Sequence, residues 1–423
     1  MRALAVTVAV LLFAARTPAD PTDPYRAFIV RSSIAPSGAG VLDGWTIAVK
    51  DNIDVAGLRT TAGARLLATR APAQRDATSV ARLRAAGATV VGKTNMDTWA
   101  RGERGVSEVR GATANSIDPT LGPGGSSAGS AVAVATGQAR GALGSDTCGS
   151  LRYPATYNNV YGLRPTAGRV SSDGLVPLSF TQDVVGPIAR TPADIATLLD
   201  VIAGADPLDP RAVNAPSAAV GAVITAPQTL SGVRIGVFRS LGRVDPVAAE
   251  LVALGAELID VPVPSAGAVS LVDIEFGAAR RAYLAWDGVG VMPWLGAPLA
   301  AVSGSRVWSD TRRRQQQLRS ALVALLDSKQ LDALAYATTP FPPAKRGAPQ
   351  PSTNCHLAAT SGLPALAVPG GITASKRRQP IVGIDLLGRP YDEPRLLAIA
   401  ESLARARAAR SSTGSLAAPG PTS

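Results

Sequence analysis

The chain has 423 residues, 46% of them hydrophobic and 17% charged, which is enough to bury a large core in one big domain. Lys and Arg number 42 against 31 Asp and Glu, a formal charge of +11. Aromatics make up only 4% and no basic run exceeds Arg312-Arg313-Arg314, a pattern that argues against binding to nucleic acid or an anionic surface and for a solvated, arginine-rich exterior.

In chain order, Met1-Arg2, the apolar run Ala3–Ala15 and Arg16-Thr17-Pro18-Ala19 read as a secretory signal with cleavage after Ala19. The run is too short to span a bilayer, and no later segment reaches that length without glycine, proline or charge. The expectation is therefore an exported, soluble protein without stable membrane insertion. Trp45–Val49 is rich in strand formers and ends in Lys50, which places this lysine at a strand end. Asn52–Ala64 reads as a glycine-containing loop. Thr78 is a candidate cap for a helix over Ser79–Ala86, and after Gly87 the segment Ala88–Val91 returns as a strand, giving a βαβ rhythm.

Residues 122–165 hold two glycine-rich serine turns, Gly122-Pro123-Gly124-Gly125-Ser126-Ser127-Ala128-Gly129 and Ser145-Asp146-Thr147-Cys148-Gly149-Ser150. They are joined by an apolar helix over Ser130–Gln138 and a short strand over Gly141–Gly144. Turns of this kind can aim several backbone N–H groups at one point, as binding of an oxyanion or a phosphate requires. Further on, Pro192–Ala203 reads as a helix started by Thr191 and stopped by Gly204. Val233–Phe238, a helix from Asp245 to Leu254 and Glu257–Val261 form a reduced α/β unit. A helix over Asp310–Leu326 carries Leu318, Leu322 and Leu325 at core-packing spacing. Ser411–Ser423 has the composition of a disordered tail.

The two turns, with Val49-Lys50-Asp51-Asn52 upstream, resemble the amidase signature family of serine amidohydrolases. Ser126 and Ser150 lie 24 residues apart (150 − 126), the spacing of the family motif. The resemblance extends to Asp332–Pro340, Cys355–Gly370 and Val382–Leu397, covers about three-quarters of the chain, and weakens between about 205 and 350. Ala128 and Cys148 stand where the family has glycine. The resemblance implies an α/β fold, a single large domain over 20–410 with a mixed, mostly open sheet covered by helices on both faces. It also implies Ser150 as nucleophile, Ser126 after a cis peptide bond as proton relay, and Lys50 as the base. Backbone N–H groups of Thr147, Cys148, Gly149 and Ser150 would form the oxyanion hole, and Asp51 and Asp146 would order the loops. Such a site needs no metal and no cofactor. The implied substrate is a small-molecule or peptide amide, and the implied state a monomer or homodimer. Cys148 and Cys355 fall near the implied site, and in an exported chain either a disulfide or two buried thiols fits them.

A neutral amide needs both a nucleophile at carbon and a proton for nitrogen, and Ser150 with the Ser126/Lys50 relay would supply the two in turn. Three other readings are open. Gly125-Ser126-Ser127-Ala128-Gly129 matches GxSxG, so Ser127 with Asp332 and His356 could form an α/β-hydrolase esterase triad, although His356 is the only histidine. Gly124–Ser130 approximates a phosphate- or anion-binding loop but lacks the P-loop lysine. Within the family, one component of an amidotransferase acting on charged tRNA is the third, and an export signal argues against it. Fold does not set specificity, and the pocket loops fall where the resemblance is weakest.

Overall fold

The protein is described from a computed structural model, which covers residues 22–221, 229–264, 270–286, 297–351, 353–370 and 383–414. The expected signal segment 1–19 and residues 415–423 of the expected tail lie outside the described residues.

The strands in chain order are β1 (Phe28–Ile34), β2 (Thr46–Lys50), β3 (Thr89–Thr94), β4 (Val106–Ser107), β5 (Gly111–Ala112), β6 (Gly141–Asp146), β7 (Tyr161–Arg164), β8 (Val184–Ala189), β9 (Arg234–Val237), β10 (Glu257–Asp260), β11 (Ala333–Ala337), β12 (Ala365–Pro369) and β13 (Gly383–Leu387). All but the β4–β5 hairpin form one sheet, in the order β1-β3-β2-β6-β8-β7-β12-β13-β11-β9-β10. Its strands β3, β2 and β6 are parallel, as are β11, β9 and β10 at the far end, and the strands between run antiparallel. The sheet is therefore mixed, with parallel blocks at both sides.

The helices are α1 (Thr78–Ala85), α2 (Ala128–Ala135), α3 (Arg152–Tyr157), α4 (Pro192–Ile202), α5 (Asp245–Ala253), α6 (Val272–Ala285), α7 (Ala297–Ser303), α8 (Arg306–Ser328), α9 (His356–Ser361) and α10 (Glu393–Gly414). Strand alternation decides which of them each face receives. Ile47, Val49 and Leu143 join one core with Leu83 of α1, Leu198 and Leu199 of α4, and Leu396 and Leu403 of α10. The intervening Ala48 and Ala142 join another with Ala131 and Val134 of α2, with Leu151 at the start of α3 and with Ala155 within it. Small side chains on that face let α2 lie close to the sheet. At Gly144 even a methyl group is excluded, because a Cβ there would sit 2.7 Å from Leu151 and 2.8 Å from the Ser127 hydroxyl.

Local details differ from the sequence expectations. Thr78 is the first residue of α1, preceded by Ala77, and its hydroxyl bonds Asp173. Asp245 sits within the first turn of α5, where an acidic side chain favours the N-terminal dipole, while Val244 holds the cap. Thr191 does cap α4, accepting from the Asp194 N–H at 3.0 Å. The buried stripe of α8 is Leu318, Leu322 and Leu326, with Leu325 only half-buried, because a helix of 3.6 residues per turn returns to the same face at the fourth position. Helix α10 continues through Gly414, past the point at Ser411 where the tail was expected to begin. No helix among the described residues is long and apolar enough to cross a membrane.

Candidate active site

Strands β2 and β6 are parallel neighbours, in register with Val49 opposite Leu143, so their carboxyl ends deliver Lys50 and Ser145-Asp146 to the same edge. The C-terminal edge of parallel strands is where open α/β sheets gather their sites. Lys50 is fully buried. Its Nζ donates to Ser126 Oγ at 2.7 Å, to Ser145 Oγ at 2.9 Å and to the Ser145 carbonyl at 3.3 Å. Asn52 donates to the same Ser145 hydroxyl at 3.0 Å. Burial disfavours the ammonium form and lowers the Lys50 pKa from 10.5 to about 7, against the opposing pull of Asp97, Asp146 and Asp183. A neutral Nζ keeps two donors for Ser145 and offers its lone pair to the Ser126 hydroxyl.

Ser126 follows a cis peptide bond from Gly125. The Ser127 N–H donates to the Ser150 carbonyl at 3.1 Å and so ties the two glycine turns together. Ser150 borders a cavity of about 360 Å³ lined also by Glu103, Thr147, Cys148, Cys355 and His356.

The turn that carries Ser150 is built around the buried carboxylate of Asp146. It accepts from the N–H groups of Gly149 at 2.8 Å and Leu151 at 3.2 Å, from Arg152 Nε at 3.1 Å and from Arg164 at 3.0 Å. Burial alone would raise its pKa, but the two guanidiniums and these hydrogen bonds outweigh that and bring it to about 2. Arg152 also pairs with Asp385 and donates to the Cys355 carbonyl at 3.3 Å, which anchors the turn to β13 and to the start of α9. Asp51 accepts from Thr61 N–H at 3.2 Å and lies 3.3 Å from Lys93, so it orders the loop after β2.

The oxyanion-hole expectation needs one correction. The Gly149 N–H already donates to Asp146, which leaves Thr147, Cys148 and Ser150, whose N–H groups have no acceptor among the described residues. Cys148 in place of glycine costs nothing in backbone geometry, because the positive φ of the turn falls on Gly149, at +89°. A Cβ on Gly149 would lie 2.2 Å from the Tyr153 ring, so only glycine fits there. Cys148 and Cys355 are joined by a disulfide, with Cα atoms 4.8 Å apart. With His356 they are three potential metal ligands within 4.8 Å, but the disulfide occupies both sulfurs.

The rival arrangements do not assemble. Ser127 Oγ is buried and held between the carbonyl and the N–H of Ser145, at 3.1 and 3.3 Å. The only histidine, His356, places Nδ1 3.7 Å from Cys148 Sγ, and the Asp332 carboxylate accepts from Arg234 N–H at the start of β9. The loop suggested for phosphate spends its N–H groups internally, Ser127 on Ser150 and Gly129 on the Asn95 carbonyl at 2.8 Å. Sequence reasoning did not single out Ser145, Asp97, Arg152, Arg164, Asp183 or Asp385. The signal for the arginines was their position inside an otherwise apolar, glycine-rich stretch.

The family model described as Amidase matches residues 25–277. The chain belongs to the amidase family. Across 416 residues it is 36% identical to a glutamyl-tRNA(Gln) amidotransferase subunit of Deinococcus radiodurans, a match covering 86% of this chain and 84% of the relative. Among solved structures, the peptide amidase of Stenotrophomonas maltophilia superposes with a TM-score of 0.73 at 31% identity, covering 91% of this chain and 89% of that one. The corresponding glutamyl-tRNA(Gln) amidotransferase subunit of Thermotoga maritima gives 0.75 at 29% identity, covering 90% and 88%. These amidase-family relationships make the protein an enzyme acting on the C–N bond of carboxylic amides, and its single α/β domain is the amidase-family fold.

Proposed function

We propose that this chain hydrolyses an amide through an acyl-enzyme on Ser150, with Ser126 and Lys50 passing the proton, and that it releases ammonia or a small amine. The observation that carries this reading is the buried contact of 2.7 Å between Lys50 Nζ and Ser126 Oγ, on a turn hydrogen-bonded to Ser150 itself. Ser150 Oγ attacks the carbonyl as its proton moves to Ser126 and that of Ser126 to neutral Lys50. The oxygen that becomes negative is met by the N–H groups of Thr147, Cys148 and Ser150; losing one such donor costs about 3 kcal/mol in other enzymes. Lys50 then returns its proton through Ser126 to the departing nitrogen, and water cleaves the ester by the same path.

The test is an amide panel of small aliphatic amides, aromatic amides and C-terminally amidated peptides, assayed for ammonia with the purified chain alone. Mass spectrometry after a fluorophosphonate probe should find the label on Ser150. Label on Ser127, or full turnover by Ser150→Ala, would overturn the assignment. An amidotransferase role is the second reading, favoured by the relatives at 36% identity. Ammonia release with no further protein present supports the first. We further read residues 1–19 as an export signal, supported by their apolar pattern and by the Cys148–Cys355 disulfide, a bond suited to an oxidising compartment. N-terminal sequencing of secreted protein tests it, and a retained Met1 would refute it.

A further inference from the structure

One carboxyl group lining the cavity beside Ser150 is used neither by the proton relay nor by an ion pair among the described residues. Glu103 lies in the loop that follows Thr98–Ala100, and it lines the cavity together with Ser150 and Thr147. Its backbone packs against the residue before Ser126, since a Cβ on Gly125 would come within 3.1 Å of Glu103 Cα. The side chain is half-buried. Among the described residues it has no ion-pair partner, whereas Arg101, on the same cavity wall, is paired with Asp273 at 2.8 Å. The rim of the cleft is therefore balanced in charge, and its interior carries one extra carboxyl group next to the buried Asp97. A carboxylate that is partly withdrawn from water and faces no cation loses stability unless a cation arrives with the ligand.

We propose that Glu103 selects amides whose acyl chain carries a primary ammonium, by pairing its carboxylate with that group while the scissile carbonyl sits at Ser150. This deepens the Ser150 reading and rests on it. The groups facing Glu103 are Asp97, Tyr153 and Tyr157 of α3, and across the cavity Arg101, Asp273 and His356. Burial, then Asp97, raise the Glu103 pKa to about 7, with Thr353 acting the other way. The pairing thus strengthens as pH rises through 7, while an alkyl ammonium of pKa near 10.4 stays charged.

The experiment compares kcat/KM for 6-aminohexanamide and for hexanamide between pH 6 and 8.5. Protonation of Lys50 affects both substrates alike and cancels in their ratio. In the wild type the ratio should favour the cationic amide by about tenfold at pH 8, equal to ~1.4 kcal/mol, and fall toward pH 6. In Glu103→Gln it should lie near one and be independent of pH. A second measurement does not depend on the variant folding. In wild type, n-hexylammonium should protect Ser150 from the fluorophosphonate probe at lower concentration than hexanoate does. A wild-type ratio near one, a ratio unchanged in Glu103→Gln, or equal protection by the two ions would overturn the proposal. If neither amide yields ammonia and Ser150 takes no label, the nucleophile assignment falls first and this inference with it.

Discussion

At the scale of single residues, the proposed relay asks Lys50 to be base for attack and acid for departure. Attack is common to amides and esters, but an amine leaves badly without a proton while an alkoxide or phenoxide needs one less. Lys50→Ala should therefore lower amide hydrolysis more than hydrolysis of an ester with the same acyl group, by one or more powers of ten, each about 1.4 kcal/mol of barrier. Rates measured on both substrates across pH check this, and equal losses would remove Lys50 from the second role. In the wild type, activity should rise with pH through about 7 as Nζ loses its proton.

The same depressed pKa has a cost in stability. Between about 7 and 10.5 the unfolded chain holds a proton on this lysine that the folded chain does not, so folding becomes more favourable as pH rises across that window. Below pH 7 both states carry the charge and the folded state bears the full penalty of burying it, on the order of 5 kcal/mol at ~1.4 kcal/mol per unit. Lys50→Met should thus be inactive yet more stable than wild type at pH 6, with the gap closing above pH 7. Chemical denaturation at several pH values measures it; a mutant less stable at pH 6 would contradict the burial argument.

At the scale of elements, the turn that carries Ser150 is held by charge rather than by length. Asp146 gathers two turn N–H groups and two guanidiniums, and Arg152 passes the restraint on to Asp385 and Cys355. Removing one member of a buried ionic cluster leaves its partners uncompensated, at about 3–5 kcal/mol. Arg152→Met should lose stability of that size and lose labelling of Ser150 even at temperatures where the variant is folded. Retained labelling would show that the turn holds its shape without the arginine. That Lys50, Ser126 and Ser150 come together was legible in the sequence, because each lies in a local motif whose spacing is visible. The Arg152–Asp385 pair was not, because 233 residues separate its members and arginine is ordinarily a surface residue. Glu103 was illegible for a related reason: the surrounding Arg101-Gly102-Glu103-Arg104 reads as a solvated loop until the cavity wall is seen.

At the scale of the whole molecule, one sheet takes strands from the first and the last parts of the described residues alike. Strands β1 to β3 and β6 to β8 belong to its first half, and β7 then pairs with β12, so the C-terminal strands β11 to β13 close the same surface. Cooperative unfolding is expected in consequence, with far-UV circular dichroism and tryptophan fluorescence tracing coincident transitions. Two separated transitions would mean that the segment with β9 and β10 unfolds by itself. The βαβ opening and the helices α2, α4 and α8 could be read from periodicity and caps. Strand order could not, because short strands such as Gly141–Asp146 owe their place to close packing of helices over glycine and alanine rather than to strand propensity.

The bond between Cys148 and Cys355 spans 207 residues and fastens a residue of the proposed oxyanion hole to the residue just ahead of α9. A host cytosol keeps such thiols reduced and an export pathway oxidises them. The same gene expressed in the two places therefore yields two different reagents, one with the turn tethered and one with it free. Counting reactive serines per chain in each preparation is then the first step of any substrate screen, since a silent cytosolic batch would report on the host and not on the enzyme.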